Sequence, residues 1–292
     1  MLPKAIGSVL AQSHKDWELI IIDDGSTDNT KEVVLSYGDE RIKYIYQVNQ
    51  ERSAARNNGI VNASGKYICF LDSDDYFLPS RLELLYESIV EKNELIALFF
   101  TSICFEKDSI ISERKQLEFA ESINVFDYIV ESIIGTPQVC IHKDILKCYI
   151  FNTGLHIGED MELWLRIADQ YPLVFIPDQP TIVATIHDDR SVNEFANNSF
   201  QEMTKALKII FSRDHPGSKI SRACKRFVWS GVYFGIARFY ISVKNKGKAV
   251  FFLIKSLAVN QRNSQSKHKI FLIYKIVFTE KCKLSHLNEL TQ

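Results

Sequence analysis

The chain has 292 residues, 46% apolar and 24% charged, with a net charge of −1. That composition suits one large globular domain, or one domain with an appendage, and excludes a disordered, fibrous or disulfide-stapled chain. The small net charge conceals a split: residues 1–200 carry 17 Lys and Arg against 32 Asp and Glu, whereas residues 201–292 carry 18 against 4.

The predicted elements of the first half alternate. A helix is expected over Pro3–Ser13, with Pro3 in its first turn and Ile6, Val9 and Leu10 on one face. Glu18–Ile22 is a continuous apolar run, as in a strand buried on both faces. Asp23-Asp24-Gly25-Ser26 breaks it, and Thr27 or Asp28 caps a helix to about Ser36. A strand at Ile42–Tyr46, a helix at Ser53–Asn62 and a strand at Tyr67–Leu71 follow. Asp72-Ser73-Asp74-Asp75 then leads to a helix at Ser80–Lys92 and a strand at Leu95–Thr101. This order predicts an α/β fold with a mostly parallel sheet flanked by helices.

Residues 102–190 are less regular, with helices expected at 123–134 and 159–170 and strands at 173–176 and 181–186. From about 200 the pattern is helical, with a break at Asn245-Lys246-Gly247. The expected division is a catalytic-type domain over 1–200 and a basic helical region over 201–292. The six cysteines are scattered without metal-like spacing, and no apolar run reaches the ~18 residues of a membrane span. A cytoplasmic protein with reduced thiols is expected.

Two acidic clusters fall at strand ends, where ligands of open α/β sheets bind. Carboxylates crowded there repel one another unless a cation joins them, and oxygen ligands favour Mn²⁺ or Mg²⁺. A nucleotide diphosphate is the natural ligand of such an ion.

The run Trp17–Asp28 (WELIIIDDGSTD), then Asn49–Gly59 (NQERSAARNNG), then Gly65–Asp75 (GKYICFLDSDD) resembles the family 2 glycosyltransferases. Gly158–Trp164 (GEDMELW) resembles their downstream E-D motif, and Ile186–Ser191 their closing H-x-x-x-S stretch. The resemblance implies a GT-A fold and an inverting transfer of sugar from a nucleotide-diphosphate-sugar to a saccharide or lipid-linked acceptor. It further implies that Asp23, Asp24, Arg56 and Asp72 serve the donor, and that Asp74, with Asp72 and His187, holds Mn²⁺ or Mg²⁺. Asp160 would be the general base with Glu159 as its alternate, and the helix start would lower the carboxylate pKa. Trp164 suits either an acceptor pocket or core packing.

Members of the resembled family open with a strand and a Pro-x-Tyr-Asn-like loop ahead of the helix that here starts at Pro3. These 292 residues contain neither, so either the start is short, or the sheet lacks a central strand and the base pocket one wall. Other readings are a degenerate fold that binds a nucleotide-sugar or a partner transferase without turnover, and a sugar-phosphate nucleotidyltransferase. The latter would need a Gly-rich basic phosphate loop near the start, which the sequence lacks. The basic region carries Phe227, Trp229, Tyr233, Phe234, Phe239 and Tyr240 among its cations. It reads either as a structural appendage or as a peripheral contact with the inner face of the membrane. Nothing in it matches a nucleic-acid-binding motif.

Overall fold

The computed structural model describes residues 1–113, 123–176, 180–187, 199–260 and 266–278. The elements in order are α1 (Leu2–Leu10), β1 (Leu19–Asp24), α2 (Thr30–Leu35), β2 (Ile42–Gln47), α3 (Glu51–Asn62), β3 (Tyr67–Cys69), β4 (Tyr76–Phe77) and α4 (Arg81–Glu91). Next come β5 (Leu98–Thr101), β6 (Cys104–Lys107), β7 (Ile110–Glu113), α5 (Val125–Ser132), β8 (Val139–His142) and α6 (Lys143–Leu146). The chain continues through α7 (Glu159–Ala168), β9 (Leu173–Ile176), β10 (Ile182–Thr185), α8 (Ser199–Ile210), α9 (Arg222–Ser242), α10 (Lys246–Val259) and α11 (Ser266–Phe278).

The strands form three sheets, ordered β1-β2, β3-β8-β5-β9 and β4-β10-β6-β7. The sheets are mixed: β1–β2, β5–β9 and β6–β10 are parallel, whereas β8 runs antiparallel to both β3 and β5. Strands β4 and β8, the β6–β7 hairpin and the short helix α6 are features that the sequence pattern did not reveal. The hairpin turn sets Asp108 and Ser109 at φ 50° and 64°, a left-handed pair that more often carries Asn-Gly.

The central strands are buried on both faces with a period of two. Leu98, Phe100, Val139 and Ile141 join the main core with Tyr128 and Ile129 of α5, Leu163 and Trp164 of α7, and Ala206 and Ile210 of α8. Phe99 and Cys140 point the other way, against Leu85 and Ile89 of α4. Helices α9, α10 and α11 share a separate small core of Ala237, Ala249, Leu253, Leu272 and Ile276. No helix among the described residues is long and apolar enough to cross a membrane.

Among the described residues, β1 pairs only with β2 and β3 only with β8. Residues of both, including Ile20, Ile22 and Ile68, line one cavity of about 880 Å³ together with Phe70 just after β3, Ile6 and Val9 of α1 and Leu85 of α4. An apolar slot thus lies between two strands that each keep one edge without a ladder partner among the described residues.

Candidate active site

The end of β1 turns sharply because Gly25 takes φ 84°, and a Cβ there would lie 2.9 Å from the Asn49 backbone nitrogen. Asp23 is buried and shapes this turn, accepting from the Ser26 amide at 2.8 Å and the Tyr44 hydroxyl at 2.6 Å. Burial alone would push the Asp23 carboxyl up, but those hydrogen bonds outweigh it and hold the group below the usual carboxylate range. Asp24 accepts from Gln47 Nε2 at 2.7 Å and the Gln50 amide at 2.9 Å, which ties the β1 edge to the segment entering α3.

Between β3 and β4 the chain folds Asp72, Asp74 and Asp75 together, with one carboxylate oxygen from each lying within 4.8 Å of the others. Asp75 is buried and accepts from the Thr185 amide of β10 at 3.0 Å. Just beyond that strand, His187 Nε2 lies 3.1 Å from Asp74 Oδ2. The β4–β10 ladder therefore brings a loop near residue 74 and a residue 113 positions later to one place. The donor set, carboxylate oxygens with one imidazole, fits a hard or borderline divalent cation.

Arg56 stands between the two acidic motifs. Its Nη1 donates to Glu159 at 3.0 Å and its Nη2 to Asp72 at 2.9 Å, and the guanidinium sits 5.4 Å from the Phe151 ring centroid. Asn57, the next residue of α3, exchanges two 2.9 Å hydrogen bonds with the Phe151 backbone and so fixes that ring. Glu159 is buried and opens α7, with Asp160 beside it accepting from the Met161 amide at 2.7 Å. The Asp160 carboxyl is pushed up to about 6 by burial and by the neighbouring Glu159 charge. This corrects the lowered pKa expected from the helix start: one favourable backbone dipole is smaller than desolvation plus a like charge.

The family model for glycosyl transferase family 2 matches residues 1–150. The chain belongs to that family. A Rickettsia felis uncharacterized glycosyltransferase is 38% identical over 173 residues, covering 57% of this chain and 28% of that relative. The match thus spans little more than a quarter of that relative's length. The Campylobacter jejuni GalNAc(5)-diNAcBac-PP-undecaprenol beta-1,3-glucosyltransferase is 28% identical over 275 residues, covering 89% of this chain and 84% of that protein. S. aureus TarS 1–349 in complex with UDP-GlcNAc superimposes with a TM-score of 0.64 at 17% identity, covering 94% of this chain and 82% of that one. That likeness shows a GT-A-like fold.

Within this family 2 chain, the expected site residues Arg56, Asp72, Asp74, Glu159, Asp160 and His187 adjoin one another, while Asp23 and Asp24 mark the end of β1. Trp164 is not part of the site. It is fully buried and donates its Nε1–H to the Ile134 carbonyl at 3.0 Å, so it is a core residue. Of the closing family 2 stretch, Asp188–Ser191 lie outside the described residues. Sequence reasoning missed Asn57, Phe151 and Thr185. Asn57 stands inside the Asn49–Gly59 motif and was open to notice there, whereas Phe151 and Thr185 carry no local signal.

Proposed function

We propose that this protein is an inverting glycosyltransferase that moves a sugar from a nucleotide-diphosphate-sugar to an acceptor hydroxyl, in the synthesis of a surface polysaccharide or glycolipid. The observation that carries the reading is the Arg56 bridge, which joins Asp72 of one acidic motif to Glu159 of the other.

Glu159 is engaged by Arg56 at 3.0 Å, which leaves Asp160 as the carboxylate free to act as the proton acceptor. A carboxyl poised near pH 6 is deprotonated at neutral pH yet basic enough to draw a proton from a hydroxyl in the transition state. The acceptor oxygen forms its bond to the anomeric carbon as the bond to the diphosphate oxygen breaks on the opposite face. Asp160 takes the hydroxyl proton, and one displacement inverts the configuration. Asp23 and Asp24 at the β1 edge would position the nucleoside. Asp74 and Asp72, with His187, would hold Mn²⁺ or Mg²⁺, which when bound supplies charge neutralisation for a diphosphate.

The test is release of nucleoside diphosphate from a panel of UDP- and GDP-sugars with Mn²⁺ and saccharide or lipid-linked acceptors. NMR would follow the anomeric configuration of the product. Acceptor-dependent release with inversion is expected. Nucleotide binding without release across the panel would favour the non-catalytic reading instead.

A further inference from the structure

We propose that the helical unit α9–α11 is a docking surface for an anionic lipid bilayer. From His215 to Thr279 the chain has no Asp or Glu, against 13 Lys and Arg. A helical surface that only needs solvation interleaves both signs, because mixed charges avoid self-repulsion. Sixty-five residues with cations alone carry a positive field that calls for an anionic partner.

The geometry identifies that partner as a bilayer rather than a soluble polyanion. Helix α10 turns Ala249, Leu253 and Ser256 inward. Its opposite stripe, at helical spacing, carries Lys248, Phe251, Ile254 and Lys255, all exposed. Phe251 is 52% and Ile254 54% exposed, and Ile270 on α11 is 57% exposed. The unit's own core is complete without these side chains, since Ala237, Ala249, Leu253, Leu272 and Ile276 already pack together. Lys255 Nζ lies 4.7 Å from the Phe251 ring centroid, so cation and aromatic ring are presented side by side. A nucleic acid or an acidic protein would be satisfied by the cations alone. Large apolar groups beside lysines match the headgroup boundary, where the ring enters the acyl region and the ammonium meets phosphate. No helix among the described residues can span a bilayer, so the contact is interfacial.

The surface is mechanically joined to the candidate active site. A Cβ on Gly158, which precedes α7, would touch Ala206 of α8 at 3.5 Å, and the Phe200 ring of α8 lies 6.4 Å from Phe239 of α9. The docking proposal stands apart from the proposed activity. Only its consequence, delivery of Asp160 to a membrane-linked acceptor, rests on that reading.

The experiment is co-sedimentation of the full chain with phosphatidylglycerol–phosphatidylcholine vesicles and with phosphatidylcholine vesicles, at low and high salt. Binding to anionic vesicles at low salt is expected, with loss at high salt as surface charge is screened within ~8 Å or less. Each lysine near the surface contributes roughly fivefold in partition, so Lys248→Ala/Lys255→Ala weakens binding by more than about tenfold. Phe251→Ser/Ile254→Ser is expected to weaken it by about tenfold or more while leaving the thermal melt unchanged, because both side chains are exposed. A protein that stays in the supernatant with anionic vesicles at low salt overturns the proposal. Wild-type partition of Phe251→Ser/Ile254→Ser overturns the interfacial seating of this stripe, because charge alone would then account for the binding.

Discussion

Arg56 and Glu159 lie 103 residues apart in the chain and 3.0 Å apart in space. The pair locks α3 to the first turn of α7, and Asp72 on the other guanidinium nitrogen extends the lock to the loop after β3. One cation thus sets the spacing between the parts of the site assigned to donor and to proton transfer.

Replacing Arg56 by Ala leaves Glu159 buried and unpaired, and it frees Asp72. We expect a loss of about 2–4 kcal/mol in urea denaturation, the lower range for a broken buried pair because Asp72 is 37% exposed. Transferase turnover should fall by about 10²-fold or more. Adding Glu159→Gln to Arg56→Ala should recover part of the stability but not the turnover. An additive double mutant would show that the pair is not coupled.

Asp160→Asn should lower transfer by about 10²-fold or more while sparing donor binding. In the wild type, kcat/KM should fall tenfold per pH unit below about pH 6, as the carboxylate is protonated. Stability should move oppositely. The folded pKa lies above the ordinary carboxylate value of 3.8, so the native state holds this proton more tightly than the unfolded chain. The stabilisation is fully present below about pH 4 and is lost as pH rises through about 6. The Asn variant should therefore melt higher than wild type at pH 7.5, by about 2–4 °C per kcal/mol, and show little advantage near pH 4.

The three aspartates of the acidic loop should separate by phenotype. Asp74→Asn should weaken Mn²⁺-dependent binding of a nucleoside diphosphate by more than about tenfold in calorimetry, with an unchanged melt. Asp75→Ala should instead destabilise by about 1–3 kcal/mol, because the part-buried Thr185 amide loses its acceptor and the buried Asp75 its anchoring bond. If the two variants behave alike, the division between cation ligand and loop anchor is wrong.

The slot between β1 and β3 should make the folded 292-residue chain bind the dye ANS, since its walls are apolar and reach solvent. Ile20→Lys should reduce the fluorescence while leaving the far-UV spectrum intact. A dark wild type would show that the slot is closed in solution.

Much of this could be read in the sequence because its signals were local. Runs of Ile and Phe bounded by Asp-rich turns set β1 and the acidic loop, and the Gly158-Glu159-Asp160 start announced α7. What stayed hidden depended on tertiary contact. Strand β8 is a four-residue run inside an irregular stretch, legible only once β3 and β5 are seen to need a strand between them. Arg56 was legible as a donor-side cation through its motif, but its bridge between Asp72 and Glu159 shows only in three dimensions. Asp160 looked like a helix-start carboxylate with a lowered pKa, and its burial beside Glu159 reversed the sign.

The family match stops at residue 150, but the site does not. Glu159 and Asp160 follow it on α7, and β10 supplies the Thr185 amide that anchors Asp75 and leads into His187. A fragment trimmed at the family boundary would keep the β1 edge and the acidic loop while losing Asp160, the Glu159 partner of Arg56 and the strand that holds Asp75 in place. The shortest piece that can contain the whole candidate site therefore reaches at least residue 187, and a limited-digestion product ending nearer 150 would hold only the half of it that α3 and the acidic loop supply.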